Sequence, residues 1–320
     1  MATTTAKAPA GDRRAGRGAG SRKTRGGPST ARRREGLAAW LFALPFMLVF
    51  AVFMLVPLVS SFLMSFTDFR STDAQTPFAV DFVGLQQYTN LFGDEQFRKS
   101  MVNTAIVVVV GIPLTMAVAL ALAVALNNGI TRLRTVFRVG FYTPVVTSIV
   151  AVAVVWRFIL QPDGLLNTML GWIGINGPDW LHSTTWALPS LIVMTAWRNM
   201  GTLMIIFLAG LQNVPVELHE AATVDGASAW QRFRQITLPL LRPTLLLGAV
   251  MLSVGYLQFF EEAFVMTQGG PLDSTLSVSY FTFNQFGFGK YGYASAASYV
   301  LFTVIAALSL LQFRLLRPKD

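Results

Sequence analysis

Cysteine is absent from this 320-residue chain, which excludes disulfides, thiol nucleophiles and Cys-ligated metals. Histidine is nearly as scarce. His182 and His219 are the only two, and they fall in separate polar connections, so no metal centre is expected. Charge is sparse as well, with 13% Asp, Glu, Lys and Arg against 53% hydrophobic residues. With a mean hydropathy of +0.52, this balance does not describe a soluble domain. The phosphate-cradling Gly-x-x-x-x-Gly-Lys-Ser/Thr loop is missing too, because Gly289-Lys290 is followed by Tyr291. No cofactor is therefore expected on this chain, and any ATP it depends on must be bound by another polypeptide. Without a Ser/His/Asp arrangement or a buried carboxylate pair at convincing spacing, an enzyme is poorly supported.

What the chain has instead is long uncharged runs, and a bilayer-crossing helix needs about 20 residues. Leu37 to Thr67 is one such run and Met101 to Thr131 another. Val139 to Trp156, extended by Phe158-Ile159-Leu160, is a third, and Trp186 to Leu211, interrupted only by Arg198, a fourth. Pro243 to Phe260 and Tyr291 to Phe313 complete a set of six. The expected fold is an all-α integral membrane protein with six transmembrane helices. Basic residues collect on one side of that arrangement. Ten Lys and Arg lie in residues 1–36, and the rest are Arg132, Arg134 and Arg138, then Arg232, Arg234 and Arg242, then Arg314, Arg317 and Lys319. The opposite connections hold only Arg70, Arg98, Lys99 and Lys290. The bias predicts a multi-pass protein of the cell membrane with both termini and the connection around Glu220 in the cytoplasm.

Read alone, the basic Gly/Ala/Arg-rich start is compatible with a nucleic-acid tail. Directly before a membrane span it reads better as a solvated topogenic segment that touches anionic lipid, with no nucleic-acid partner. Lacking apolar periodicity, residues 1–36 are expected to be disordered. The run after Arg34 exceeds the usual apolar core of a cleaved signal, about 7–15 residues, and reads as an uncleaved first span. The remaining 37–316 form the transmembrane domain.

Between the fourth and fifth spans lies a polar insert, residues 213–238, that interrupts both apolarity and helix continuity. Asn213 is a plausible N-cap, and Pro215 suits a first helical position where its missing N–H costs nothing. Glu217 and Glu220 complement the helix dipole in the first turns, while Ala221 and Ala222 keep one face thin. Asp225-Gly226 breaks the helix, with Gly226 able to take the left-handed conformation. A second short helix is expected over Ala227 to Ile236, with Pro239 opening the next segment. Such a thin knob on a break suits force transmission between rigid bodies. An ordinary helical hairpin would explain the alanines but not the Asp-Gly and Leu-Pro that follow.

The pattern Glu220-Ala221-Ala222, Asp225-Gly226-Ala227 and Leu238-Pro239 resembles the cytoplasmic loop of permease subunits of bacterial ABC importers. Thr267-Gln268-Gly269-Gly270-Pro271, Asn103-Thr104 and Tyr142-Thr143-Pro144 extend the resemblance over residues 37–316, to the six-span carbohydrate type. What the resemblance implies is specific. Glu220, Ala221, Ala222, Asp225, Gly226 and Ala227 would seat in a separate ATPase. The chain would form half of a pathway with a second permease, two ATPase subunits and an extracytoplasmic solute-binding protein. Aligned on Trp197 and Gly269-Gly270-Pro271, sugar contacts would fall to Thr195, Arg198, Asn199 and Thr202 on the fourth span. On the fifth they would fall to Tyr256, Gln258 and Phe259.

Independently of that, polar groups within spans are costly and face a cavity or a partner. Thr195, Arg198, Asn199 and Thr202 recur at helical spacing and make one stripe. Depth counted along straight helices separates Arg198 from Glu262 by about 12 Å, which argues against their pairing. The alternative for the same residues is a structural role, joining spans or a partner subunit. The rival reading of the whole chain is a stand-alone ion-coupled transporter, which predicts inverted repeats and an ion site. No convincing internal repeat is visible.

Overall fold

A computed structural model describes residues 30–75, 80–128 and 133–316. Among these the chain is helical, and the β-type pairing present is an isolated antiparallel bridge between Thr67 and Phe82. The chain divides into two compact units, residues 1–57 and 58–320.

In the first unit, α1 (Thr30–Phe50) runs into a π-helical turn, Ala51–Leu55. The wide turn lies directly ahead of Pro57, whose ring cannot fit against a regular preceding turn and which has no N–H to donate. Residues 30–36 of the expected tail are helical, while its remainder, 1–29, lies outside the described residues. Trp40, Phe42, Phe46 and Phe53 all stand largely exposed around the helix, the pattern of a surface whose solvent is hydrocarbon.

α2 (Val56–Met64) continues into the second unit, followed by α3 (Gln86–Gly93) and the long α4 (Glu95–Asn128). Next come α5 (Arg134–Val146), α6 (Ile149–Ile159), α7 (Leu165–Trp172) and α8 (Ala187–Gln212). The polar insert carries α9 (Val216–Val224), α10 (Ala229–Arg232), a π-helical turn (Phe233–Thr237) and α11 (Leu238–Leu240). α12 (Arg242–Leu257), α13 (Glu261–Met266), α14 (Val278–Gly287) and α15 (Tyr291–Leu316) complete the chain.

Among the described residues, four helices are long and apolar enough to cross a bilayer: Ala39–Met64, Glu95–Asn127, Ala187–Gln212 and Tyr291–Arg314. Two further crossings arise only from bent pairs, α5 with α6 at 101° and Ala229–Leu240 with α12 at 67°. The six spans expected from hydropathy are therefore, among the described residues, four helices and up to two broken ones. The third breaks three residues after Pro144, where Thr147 and Ser148 turn extended at ψ 145° and 129°. The fifth breaks twice, at Leu241 and again at Gln258 to Phe260. Its α12 is only 16 residues, about 24 Å, too short to cross alone.

α8 is the centre of the second unit, packed on α4 and α5, with Leu191, Met194, Leu203, Met204 and Phe207 essentially inaccessible. Small residues set the approach. A Cβ on Gly201 would lie 2.1 Å from the Phe141 carbonyl oxygen, so α8 meets α5 backbone to backbone. On the other side Gly111 of α4 accommodates the Tyr256 ring, which a Cβ there would meet at 2.2 Å.

Candidate functional site

The insert between α8 and α12 is built as a stop followed at once by a start. α9 ends with Asp225 as C-cap and Gly226 at φ +79°, a conformation open to glycine and penalised for other residues. The Gly226 N–H donates to Thr223 O at 3.1 Å and the Ala227 N–H to Ala222 O at 2.8 Å, which closes the helix end in a Schellman wrap. Ser228 then caps α10: its hydroxyl accepts the Gln231 N–H at 3.3 Å, and Gln231 Oε1 accepts the Ser228 N–H at 2.7 Å. Arg232 Nη1 donates to Thr223 Oγ1 and ties the two short helices together.

Several sequence expectations for this segment need correcting. Asn213 is the C-cap of α8, while Pro215 is the N-cap of α9 and not its first helical residue. The second helix starts at Ala229 and not Ala227, because Ser228 offers the better cap. Pro239 sits inside the helix, and the turn into α12 falls at Leu241, ahead of Pro243. The Ser-x-x-Gln box was legible in the sequence and passed over.

Glu220, Ala221, Asp225 and Gly226 are exposed, while Ala222 and Ala227 are half-buried. Val224 and Trp230 stand 88% and 67% exposed beside them, so the outward face of the insert is apolar as well as acidic. A cavity of about 970 Å³ lies behind it, lined by Ala117, Ala121 and Val124 of α4 and by His219 and Trp230 of the insert.

The seven residues expected to meet solute do not form one group. Thr195 is buried and donates to Leu191 O at 2.8 Å, with the Glu262 carboxyl nearby. Asn199 is near the Tyr256 hydroxyl, which lies 2.6 Å from Thr115 Oγ1. Arg198 is partly exposed, its Nε buried without a partner and its charge acting on Glu262. Thr202, one turn on, is partly exposed. Tyr256 and Phe259, however, are only 1% and 3% exposed, and the Phe259 carbonyl accepts from Ser277 Oγ. In this conformation both are core residues joining α12 to α4 and α14. Gln258 is exposed and faces a different cavity, beside Glu261.

The depth arithmetic argued against an Arg198–Glu262 ion pair, and none forms, but its premise needs correcting. It assumed a straight fifth helix, whereas the chain leaves helix at Phe260 (φ −146°, ψ −60°) and α13 restarts at Glu261. The restart brings Glu262, 5% exposed, against α8 instead of leaving it a turn or two above. No oxygen of Glu262 comes within ion-pair distance of Arg198; among the described residues the ion pair formed is His182 with Asp179, at 3.0 Å.

The Gly-Gly-Pro turn is held by the Asn103-Thr104 pair, which gives those two sequence features one physical cause. Gln268, Leu272 and Asp273 are non-glycine residues at φ 53°, 49° and 59°. Asn103 Nδ2 donates to Asp273 O at 2.8 Å and to Leu276 O at 2.9 Å, and the Val278 N–H donates to Thr104 Oγ1 at 3.0 Å. Replacing Asn103 by Ala leaves both carbonyls without this partner, a loss of about 1–3 kcal/mol. The expected result is a lower melting temperature of the detergent-solubilised protein and faster proteolysis within 267–276. An unchanged melting temperature and cleavage pattern would show that the turn does not depend on the clamp.

Comparison with known proteins agrees with this architecture. Residues 111–319 match the family described as "Binding-protein-dependent transport system inner membrane component". The chain is 35% identical to the lactose transport system permease protein of Rhizobium radiobacter, over 91% of this chain and 98% of that one. It is 34% identical to the arabinooligosaccharides transport system permease protein of Bacillus subtilis, over 87% and 88%. Among solved structures, it superposes with a TM-score of 0.73 on a chain of a bacterial ABC transporter involved in import of the acidic polysaccharide alginate. That match is 26% identical and covers 89% of this chain and 96% of the other. With the broken spans, the capped insert and these likenesses together, the chain belongs to the inner membrane components of binding-protein-dependent transport systems.

Proposed function

We propose that this permease forms half of the translocation pathway of a carbohydrate importer and that residues 213–238 couple it to a separate ATPase. The observation that carries this is the exposed, doubly capped break at Asp225 to Ser228. Backbone hydrogen bonds and two caps fix its shape, so the segment can transmit displacement without first having to order. Glu220 and Asp225 give its face negative charge, and Val224 and Trp230 give it apolar area, a combination suited to a basic, partly apolar cleft. A second permease, two ATPase subunits that bind the ATP, and an extracytoplasmic solute-binding protein complete the complex. The relatives named for lactose and arabinooligosaccharides favour a sugar as solute. Thr195, Arg198, Asn199 and Thr202 on α8 would offer it hydrogen bonds, and the same polar side chains would also carry the change of α8 against α12 during alternating access. A stand-alone ion-coupled transporter would have no use for such an insert.

Uptake of radiolabelled neutral oligosaccharides into proteoliposomes is the direct test. Transport should require the ATPase, ATP and the binding protein together, and uptake driven by an ion gradient alone would overturn the proposal. The basic bias places both termini and the insert in the cytoplasm. A reporter fused after Asp320 or inserted within 215–230 should be active only as a cytoplasmic protein, and one within 163–183 only outside. An external reporter beside Glu220 contradicts the orientation.

A further inference from the structure

The cavity of about 970 Å³ behind the insert changes character along its length. Its lining is apolar except for Asn127, Gln212, His219, Arg232 and Thr237, with no Asp or Glu among the lining residues. Asn127 and Gln212 are the last residues of two bilayer-crossing helices, and His219 and Arg232 belong to the insert beyond them. These four therefore mark the membrane surface, while Thr237 is buried where the chain turns back toward α12. From Asn127 the wall runs inward along α4 through Val124 and Ala121 to Ala117, about 15 Å at the helical rise. That is half of a hydrocarbon layer of about 30 Å, the depth of one leaflet. Trp230, its ring stacked on Phe233 with centroids 5.6 Å apart, closes the insert side.

Cations gather at the surface end. Arg232 is held there by its bond to Thr223 Oγ1. Arg134 donates from Nη2 to the Asn127 carbonyl at 2.7 Å, which brings a second guanidinium to the same rim. Arg138 follows one helical turn on along α5, and its buried Nε has no partner among the described residues. Charge decides among the possible occupants. A segment of a second permease at this depth would carry the same basic excess and meet like charge. A sugar would find alanine and aliphatic side chains along α4 in place of partners for its hydroxyls. The ATPase is assigned to the outward face of the insert, where Glu220 and Asp225 give the opposite sign. A molecule with an anionic head and an apolar chain as long as one leaflet is deep matches both ends of the cavity.

We propose that this cavity binds an anionic phospholipid of the adjoining leaflet, with its phosphate between Arg232 and Arg134 and one acyl chain along Ala117, Ala121 and Val124 of α4. Guanidinium groups pair with phosphate through charge-assisted hydrogen bonds, and the chain adds van der Waals packing where α4 presents small side chains. The lipid fills the space between α4 and the insert, so the insert is braced by the membrane as well as by protein. This site goes beyond the proposed transport function and does not depend on which solute moves.

The test is quenching of Trp230 fluorescence by phospholipids brominated on their acyl chains. It is read as the difference between the unaltered protein and W230F, because the chain has 7 tryptophans. The full chain alone and the complete transporter, each purified in a neutral detergent, are titrated with brominated phosphatidylglycerol and with brominated phosphatidylcholine. Phosphatidylglycerol should quench saturably and bind at least about fivefold more tightly than phosphatidylcholine, the worth of one basic residue near an anionic headgroup. R134Q and R232Q should each weaken phosphatidylglycerol about fivefold and leave phosphatidylcholine unmoved, while R232K should keep the preference. Ala121 is exposed on α4, so A121F leaves the core undisturbed, fills the groove and should remove saturable quenching by both lipids. Equal binding of the two lipids, an unmoved preference in R134Q and R232Q, or saturable quenching that survives A121F overturns the site. Quenching of the chain alone that vanishes in the complete transporter gives the cavity to a partner subunit and overturns it as well.

Discussion

Gly226→Val in the assembled transporter is expected to abolish sugar uptake while leaving the permease folded, membrane-inserted and associated with its second permease. The local geometry separates the two outcomes. A Cβ on Gly226 meets no heavy atom within 4 Å, so valine collides with nothing inside the chain. The penalty is entirely conformational. At φ +79° a β-branched residue is strained by ~1–2 kcal/mol, and the easiest relief is to leave the left-handed region. Leaving it breaks the Gly226 to Thr223 and Ala227 to Ala222 hydrogen bonds and lets α9 and α10 change their angle. A knob that no longer matches its socket loses coupling before it loses fold. Basal ATP hydrolysis of the complex should persist, stimulation by loaded binding protein should disappear, and uptake should fall at least about tenfold, since 1.4 kcal/mol at such a junction is already a factor of ten. Glu220→Ala, which removes only a charge from an exposed face, should do the same more mildly. Asn is the informative third variant, because it tolerates the left-handed region better than valine and should retain more coupling. Normal stimulation and uptake in Gly226→Val would mean that force reaches the spans by another route.

The contrast between this loop and the solute residues shows what sequence could and could not reveal. The break at Asp225-Gly226 was legible because it is local: a glycine after an alanine helix, followed by a cap, is encoded within a few residues. Its boundaries were less so, since Asn213, Pro215 and Ser228 compete as caps and only packing decides among them. Hydropathy marked the apolar segments but not their breaks. Pro144 is visible in the sequence, yet the extended Thr147 and Ser148 behind it are not, and nothing in the apolar pattern signals the kink at Phe260. That kink decided the site. Tyr256 packs into the core from α12, while around the kink Phe259 is buried, Gln258 faces the α14 and α15 side and Glu262 meets α8. Long-range placement of this kind depends on which helices touch, and a chain with apolar residues on every face leaves few periodic marks to show it.

Gly201 is where that long-range packing is most exposed to test. It lies on α8 among Arg198, Asn199 and Thr202, and its missing side chain is what lets α5 lie against the stripe. A Cβ would sit 2.1 Å from the Phe141 carbonyl oxygen, 2.9 Å from its carbon and 3.1 Å from the Tyr142 Cα. All three are backbone atoms inside a helix, so no rotamer change relieves the contact and the helices must part. Overpacking of this kind costs about 1–3 kcal/mol for a single methyl and more for a branched chain. Gly201→Ala should lower the melting temperature of the solubilised protein and depress uptake, because α5 carries the helical Tyr142-Thr143-Pro144 segment against which Gly201 packs. Gly201→Leu should fail to accumulate in the membrane. Gly140, also on α5, provides the control: a Cβ there meets nothing within 4 Å, and replacing a helical glycine by alanine favours the helix by roughly 0.5–1 kcal/mol. Gly140→Ala should therefore be neutral or slightly stabilising in the same assays. If Gly201→Ala melts with the unaltered protein, α5 and α8 are not in backbone contact, and the polar stripe of α8 is free to face the pathway without the support described for it.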